Sequence, residues 1–299
     1  MIDHPSADRR DSPRRAPAPI AQAPVPQPIH YRASGRNGLS AWIAMPEIRG
    51  PQAAPLVAVH GIKRSARDQA EAFAEQASAL GSPVIAPEFD ETTWPAYQQV
   101  VRKGRADLAL LALIEELALN GIVRGRQFDL FGYSGGAQFA HRFAMLHPQR
   151  VRRLSIAAAG WYTFPDAACF PYGLGTAGST AELRAWGPLM AQRLPEFLAI
   201  PITVLVGSDD RVPDENMRRR DALDRQQGKN RLSRAHAYVD ALRMAASCQE
   251  LPPPMVRLKI LQNAEHDFRS CIGAGLVDQV LSCPQPENTT THNGESDER

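Results

Sequence analysis

The sequence predicts an α/β protein, with a mostly parallel central sheet covered by helices on both faces. Three observations carry this expectation. Short, nearly continuous apolar runs such as Leu56-Val57-Ala58-Val59 and Ile202-Thr203-Val204-Leu205-Val206 read as strands buried on both faces. Between such runs lie stretches with apolar residues at helical spacing, among them 68–80 and 106–119, which stop at Gly81 and at Asn120-Gly121. The two kinds of run alternate along the chain, and alternation calls for crossover connections between parallel strands.

Taken in order, residues 39–45 alternate apolar with polar or small residues and predict an early, half-exposed strand ended by Met45-Pro46. The run 56–59 follows, bounded by Pro55 and by His60-Gly61. Helix 68–80 sets Ala70, Phe73, Ala74, Ala77 and Leu80 at helical spacing, 83–87 is the next strand, and 106–119 is a strongly apolar helix. Residues 127–131 hold Phe128, Leu130 and Phe131 with one Asp among them, as in a buried strand. After Gly136 a helix runs through Phe139, Ala140, Phe143 and Ala144 to His147-Pro148, and strands follow at 154–159, 202–206 and 255–261. A helix spans 231–246, and a final helix leads to Cys283.

From Trp161 to residue 198 the rhythm breaks. Six of the twenty aromatic residues fall within 161–186, about three times the share that its length would hold by chance, which is the composition of an apolar binding wall. The expectation is a lid-like insertion over 161–198, with Trp161, Tyr162 and Tyr172 as substrate-binding residues. The alternative is a satellite core that merely covers the sheet.

A chain of 299 residues with 43% hydrophobic content can bury one large core. One domain is therefore expected over 29–283, between a Pro/Arg-rich tail at 1–28 and a polar tail at 284–299. The first 28 residues carry seven prolines and two Arg-Arg pairs, a composition that resists packing. A twin-arginine export signal is the other reading of those pairs, but five prolines in 16–28 oppose the apolar helical segment such a signal needs, so a cytoplasmic protein is expected. The net charge of +2 comes from 34 basic and 32 acidic residues spread along the chain, which argues against nucleic acid as a partner. There is no apolar run of about 18 residues, so no membrane span is expected. The four cysteines lack C-x-x-C spacing and read as reduced, structural thiols. Histidines and cysteines together lack zinc-ligand spacing, so neither a metal nor another cofactor is expected.

The chemistry centres on Gly132-Tyr133-Ser134-Gly135-Gly136, where strand turns sharply into helix. A serine on such a turn is a nucleophile elbow, and glycines two places before and after it keep Cβ atoms out of a crowded bend. A serine hydroxyl is a weak nucleophile and needs a general base, which in turn needs an acid to fix its tautomer. His266, in the loop after the last strand, is the candidate base. The other histidines lie in the tails (His4, His292), just past the first tail (His30), within helices (His141, His147, His236) or beside Gly61 (His60), where a loop-shaping role is expected.

The candidate acid is Asp210, three residues after Gly207 in the loop Gly207-Ser208-Asp209-Asp210-Arg211-Val212-Pro213. Asp209 stays open as the alternative, and Asp166 is a third choice. Backbone N–H groups of Gly135, at the start of a helix, and of Ile62, after His60-Gly61, are the expected oxyanion donors. Arg64, Arg231 and Arg234 either recognise a substrate carboxylate or pair with nearby acids.

These motifs, in the order nucleophile, acid, base, resemble the α/β-hydrolase fold family over roughly 39–283. Within that family, Val59-His60-Gly61-Ile62-Lys63-Arg64, Ala86-Pro87-Glu88-Phe89-Asp90 and Gln227-Gly228-Lys229-Asn230-Arg231 are similar to bacterial esterases related to polyhydroxyalkanoate depolymerases. The resemblance implies a serine esterase acting on a small or oligomeric carboxylic ester. An acyltransferase using the same three residues is the second reading, and a catalytically silent binding protein on the same scaffold is the third. A haloalkane dehalogenase is disfavoured, because those enzymes carry a carboxylate where Ser134 stands.

Overall fold

A computed structural model describes residues 28–34, 38–48, 53–102, 104–176 and 181–282. The expected tails lie outside these residues, apart from Pro28 at the end of the first, as does Cys283. Among the described residues eight strands form one sheet: β1 (Ile29–Arg32), β2 (Ser40–Ala44), β3 (Leu56–Val59), β4 (Val84–Glu88), β5 (Phe128–Tyr133), β6 (Val151–Ala157), β7 (Ile202–Gly207) and β8 (Val256–Leu261). Their spatial order is β1-β2-β4-β3-β5-β6-β7-β8. The six strands from β3 onward pair in parallel, and β1 and β2 add an antiparallel edge.

The helices are α1 (Ala66–Ala79), α2 (Ala106–Leu119), α3 (Gly135–Leu146), α4 (Ala181–Gln192), α5 (Leu194–Leu198), α6 (Asp221–Gln227), α7 (Arg231–Cys248), α8 (Phe268–Gly273) and α9 (Leu276–Leu281). None among the described residues is long and apolar enough to cross a membrane. The period-2 geometry of strands divides their apolar residues between two cores. Val57, Val59, Phe128, Leu130, Val204 and Val206 face the core shared with α2, α3 and α7. Leu56, Ala58, Phe131, Tyr133 and Leu205 face the one shared with α1, α8 and α9. Both faces are thus covered, which is why these strands read as continuous apolar runs.

Several boundaries moved for identifiable reasons. The strand expected at 154–159 begins at Val151, because Arg152 and Arg153 extend it while both pair with Asp129 on the neighbouring β5. The charge that interrupts the apolar run of β5 is therefore neutralised across the ladder. The final helix is two short ones, parted at Gly275 with φ 86°. β1, α4, α5 and α6 have no counterpart in the periodicity reading: β1 is a short edge strand with a mixed burial pattern, and α4 carries Pro188 in its interior.

The aromatic segment after β6 joins the larger core. Tyr162 stacks on Tyr238 of α7 at 4.2 Å, and Phe164, Leu174 and Trp186 pack into the same cluster. Cys169, Cys248 and Cys271 carry no bridge.

One buried charge ties α2 to the end of α3. The Asp107 carboxylate, at the start of α2, accepts from Arg105 at 2.8 Å through both oxygens and from His147 at 2.9 Å. Burial by itself would raise its pKa, but these partners outweigh it and hold the group at about 2. A carboxyl held below its unfolded value contributes stability that is present above about pH 4 and lost as pH falls through the folded value. Asp107→Asn is expected to cost about 2 kcal/mol at pH 7. In urea titrations the gap from the parent protein should narrow between pH 4 and pH 2.

Candidate active site

Parallel strands deliver their following loops to one edge of the sheet, so residues far apart in sequence can meet there. Four such loops do so. Ser134 follows β5, Asp210 follows β7, His266 follows β8, and His60-Gly61-Ile62 follows β3.

Ser134 has φ 53° and ψ −109°, a conformation that a non-glycine residue adopts only when its surroundings impose it. The turn is tight enough that a Cβ on Gly132 would collide with the Gly136 carbonyl, and one on Gly136 with the carbonyls of Val59 and His60. Helix α3 thereby starts in direct backbone contact with β3, and all twelve of its residues are buried. Its interior position fixes the direction in which Ser134 leaves the sheet.

The loops after β7 and β8 are laced together. Ser208 N–H donates to Leu261 O at 2.9 Å, Asp209 N–H to Ala264 O at 3.0 Å, and Asn263 N–H to the Ser208 hydroxyl at 2.9 Å. A Cβ on Gly207 would strike the Ala264 carbonyl, so glycine is what permits this approach.

The resulting side-chain contacts form one chain. Ser134 Oγ lies 3.1 Å from His266 Nε2, and His266 Nδ1 lies 3.0 Å from Asp210 Oδ2. Tyr133 stacks against the imidazole at 5.5 Å between ring centroids. Asp209 points elsewhere, its carboxylate accepting from the Ser208 hydroxyl at 3.0 Å. Asp166 is engaged by Ala168 N–H and by Gln226, both at 2.9 Å.

The remaining histidines of the described residues have other partners or lie exposed. His60 is fully buried, with Nδ1 at 2.8 Å from Gly61 O and Nε2 accepting from Phe89 N–H at 3.1 Å. Burial pushes its pKa down to about 4, so it stays neutral and fully occupied at neutral pH. His141 is likewise buried, between Ala137 O and Thr163 N–H, and desolvation holds its pKa well below the ordinary value. His147 is the partner of Asp107, and His30 and His236 are exposed.

Cys271 is a buried thiol nearby. Burial, with the charges of Asp210 and Asp267, pushes it up to about 12, so it carries no thiolate at neutral pH.

The loop after β3 is held from three sides. Tyr97 Oη donates to His60 O at 2.6 Å, the His60 ring spans Gly61 and Phe89, and Arg64 binds the carbonyls of Phe89, Asp90, Trp94 and Pro95. The loop lies so close to α3 that a Cβ on Gly135 would come within 2.7 Å of Ile62 Cγ2 and 3.2 Å of Ile62 N. Ile62 N–H makes no backbone hydrogen bond among the described residues. Gly135 N–H is the first of its helix, where no carbonyl of the preceding turn is available to it.

A cavity of about 620 Å³ opens in front of Ser134 and His266. Gly61, Ile62, Tyr133 and Phe268 line it, with Lys63, Asp68, Asp214, Glu215 and Arg269 among the charged residues on it. Trp161, Tyr162 and Tyr172 are not brought to this cavity. Trp161 lies between Arg142, at 4.0 Å, and Tyr172, and Tyr162 is fully buried against Tyr238. Large aromatic surfaces gain more from that interior packing than from lining a wet wall. Arg64, Arg231 and Arg234 are also occupied within the protein, Arg234 by Gly228 O, Gly160 O and Asp224.

Tyr97, Tyr133, Phe268 and Arg231 are site or support residues that periodicity could not single out. Tyr133 lies within the elbow motif and Arg231 was expected either to recognise a substrate carboxylate or to pair with nearby acids, whereas Tyr97 and Phe268 gave no sequence signal.

No family model and no curated protein matches the sequence. Solved structures do match. A poly(aspartic acid) hydrolase from Sphingomonas sp. KT-1 is 23% identical with a TM-score of 0.71, covering 86% of this chain and all of that one. A poly(3-hydroxybutyrate) depolymerase from Bordetella parapertussis is 26% identical with a TM-score of 0.65, over 80% of this chain and 83% of that one. An S-formylglutathione hydrolase from Agrobacterium tumefaciens is 16% identical with a TM-score of 0.53, over 87% and 97%. With the eight-stranded, mostly parallel sheet, these likenesses show the α/β-hydrolase fold.

The crowding at the serine turn is open to test by thermal denaturation. Gly136→Ala should lose about 3 kcal/mol or more, because backbone atoms must move to admit the methyl group. Gly273→Ala, where a Cβ meets open space, should stay within about 0.5 kcal/mol of the parent.

Proposed function

We propose that this chain of the α/β-hydrolase fold is a serine hydrolase that cleaves carboxylic esters through an acyl-enzyme. The observation that carries the reading is the unbroken sequence of contacts from Ser134 Oγ to His266 Nε2 at 3.1 Å and from His266 Nδ1 to Asp210 Oδ2 at 3.0 Å, beside a cavity able to admit substrate. Ser134 sits at the nucleophile elbow. Its hydroxyl oxygen attacks the ester carbonyl while His266 Nε2 accepts the hydroxyl proton. Asp210, accepting from His266 Nδ1–H, holds that tautomer and stabilises the imidazolium.

Attack turns the carbonyl oxygen into an oxyanion beside two backbone donors, Ile62 N–H and Gly135 N–H, the latter at the positive end of α3. The anchoring of the 60–62 loop by Tyr97 and Arg64 means that no reorganisation is needed when that charge appears. His266 then passes its proton to the leaving alkoxide, and the alcohol departs. Water, deprotonated by the same imidazole, then attacks the acyl-enzyme carbonyl, and collapse of that intermediate breaks the bond to Ser134 Oγ, releasing the carboxylic acid while His266 returns the proton to Oγ.

The likeness to a poly(3-hydroxybutyrate) depolymerase supports an ester as the bond cleaved, and the mixed apolar and charged wall of the cavity suits a short polar acyl chain better than a long alkyl one. A chain-length series of chromogenic esters tests both points. Turnover should peak at short acyl chains, and Ser134→Ala should reduce it by about 10⁴- to 10⁶-fold. In the parent protein a fluorophosphonate should label Ser134 stoichiometrically, and near-normal ester cleavage by Ser134→Ala would sink the assignment.

A further inference from the structure

Asp210 uses one carboxylate oxygen for His266. The other, Oδ1, lies 3.3 Å from Nη1 of Arg231, the first residue of α7. Arg231 is only 2% exposed, and its second nitrogen, Nη2, donates to both oxygens of Asp214 at 2.9 Å. The same end of α7 also holds the Asp210 backbone, Leu232 N–H donating to Asp210 O at 3.3 Å. Asp214 is over a third exposed at its side chain and lies on the cavity wall. Contacts therefore run from the cavity through Asp214, Arg231, Asp210 and His266 to Ser134.

A carboxylate gripped at one oxygen can still swing about its last side-chain bond, whereas one gripped at both cannot. Charge matters equally. A lone guanidinium against Asp210 would cancel the charge that stabilises the imidazolium, but Asp214 offsets it, leaving one net negative charge on the three groups.

Resting on the triad reading above, we propose that Arg231 is a positioning residue for that reaction, clamping Asp210 Oδ1, and that Asp214 acts through it to set the charge felt by His266. Desolvation raises the Asp214 pKa, but the hydrogen bonds and charge of Arg231 outweigh it and keep it below the ordinary carboxylate value, so Asp214 is ionised wherever His266 works as a base. The other groups around the imidazole are the Tyr133 ring, the neutral Cys271 thiol, and the adjacent Glu265 and Asp267, the latter occupied in capping α8 through Ser270 N–H. Lys63, Asp68, Glu215 and Arg269 line the same cavity.

The two partners of the clamp carry opposite charge, so removing them should move the imidazole titration in opposite directions. Followed by NMR without substrate, its midpoint should fall by about half a pH unit in Asp214→Asn and rise by about half to one pH unit in Arg231→Gln. Arg231→Lys, which keeps the charge and loses the fork, should return the midpoint towards that of the parent. Ester turnover should show the same displacements in the acid limb of kcat/KM. In Arg231→Gln, kcat should fall about 10- to 100-fold with KM within about threefold, and in Arg231→Lys only part of that loss should be recovered.

An Asp214→Asn protein that melts like the parent yet keeps its His266 titration, or an Arg231→Lys protein that melts like the parent yet keeps its kcat, would overturn the proposal. The titration needs no substrate, so a failure of the ester reading, seen as absent turnover by the parent or persistent turnover by Ser134→Ala, is read separately.

Discussion

The approach of helix α3 to strands β3 and β5 is the constraint on which the rest of the structure depends. Gly132 and Gly136 let the backbone reverse within van der Waals contact of itself and of the Val59 and His60 carbonyls. A side chain at either position would push the helix away from the sheet. Because the helix cannot retreat, Ser134 is held at positive φ with its hydroxyl at the sheet edge, and Gly135 N–H is brought beside Ile62 N–H. The strain at one residue, of the order of 1–3 kcal/mol, is offset by a helix whose every residue is buried.

Around that turn the buried polar groups are assigned with little redundancy. His60 and His141, both ring nitrogens occupied, act as struts rather than proton carriers, and burial keeps them neutral. His266 alone among the described histidines faces a hydroxyl on one side and a carboxylate on the other. The buried Arg231 and Arg234 and the half-buried Arg64 follow the same logic. Arg64 gathers carbonyls of the loop that supports Tyr97, Arg234 ties α6 to the start of α7 and to Gly160, and Arg231 stands between two aspartates. Each satisfies groups that would be costly to bury alone.

Much of the fold was legible because parallel strands covered on both faces must be apolar along their whole length, and β3, β5 and β7 announce themselves in that way. Helix α2 was legible to the residue, since its apolar stripe runs unbroken up to Asn120-Gly121. Edge strand β1 was not, because it lacks two buried faces, and the start of β6 was hidden by Arg152 and Arg153, whose partner Asp129 lies in another strand. The aromatic run after β6 shows the limit of composition. Enrichment marked it as apolar, but only packing distinguishes a wall around substrate from the Tyr162–Tyr238 stack inside the core.

The sequence by itself determined the order of the candidate site residues, because a tight strand-to-helix turn demands glycines at set positions and loops after parallel strands converge on one edge. It could not choose between Asp209 and Asp210. That choice depends on how the β7 and β8 loops interlock at Gly207 and Ala264, which turns Asp209 towards Ser208 and Asp210 towards His266. Nor could it pair Arg231 with Asp210 and Asp214, since side chains that are 21 and 17 residues apart meet only when α7 is laid across the edge of the sheet. Local spacing is governed by backbone geometry and is visible in the chain, whereas charge pairing is governed by distance in space, which only the tertiary structure decides.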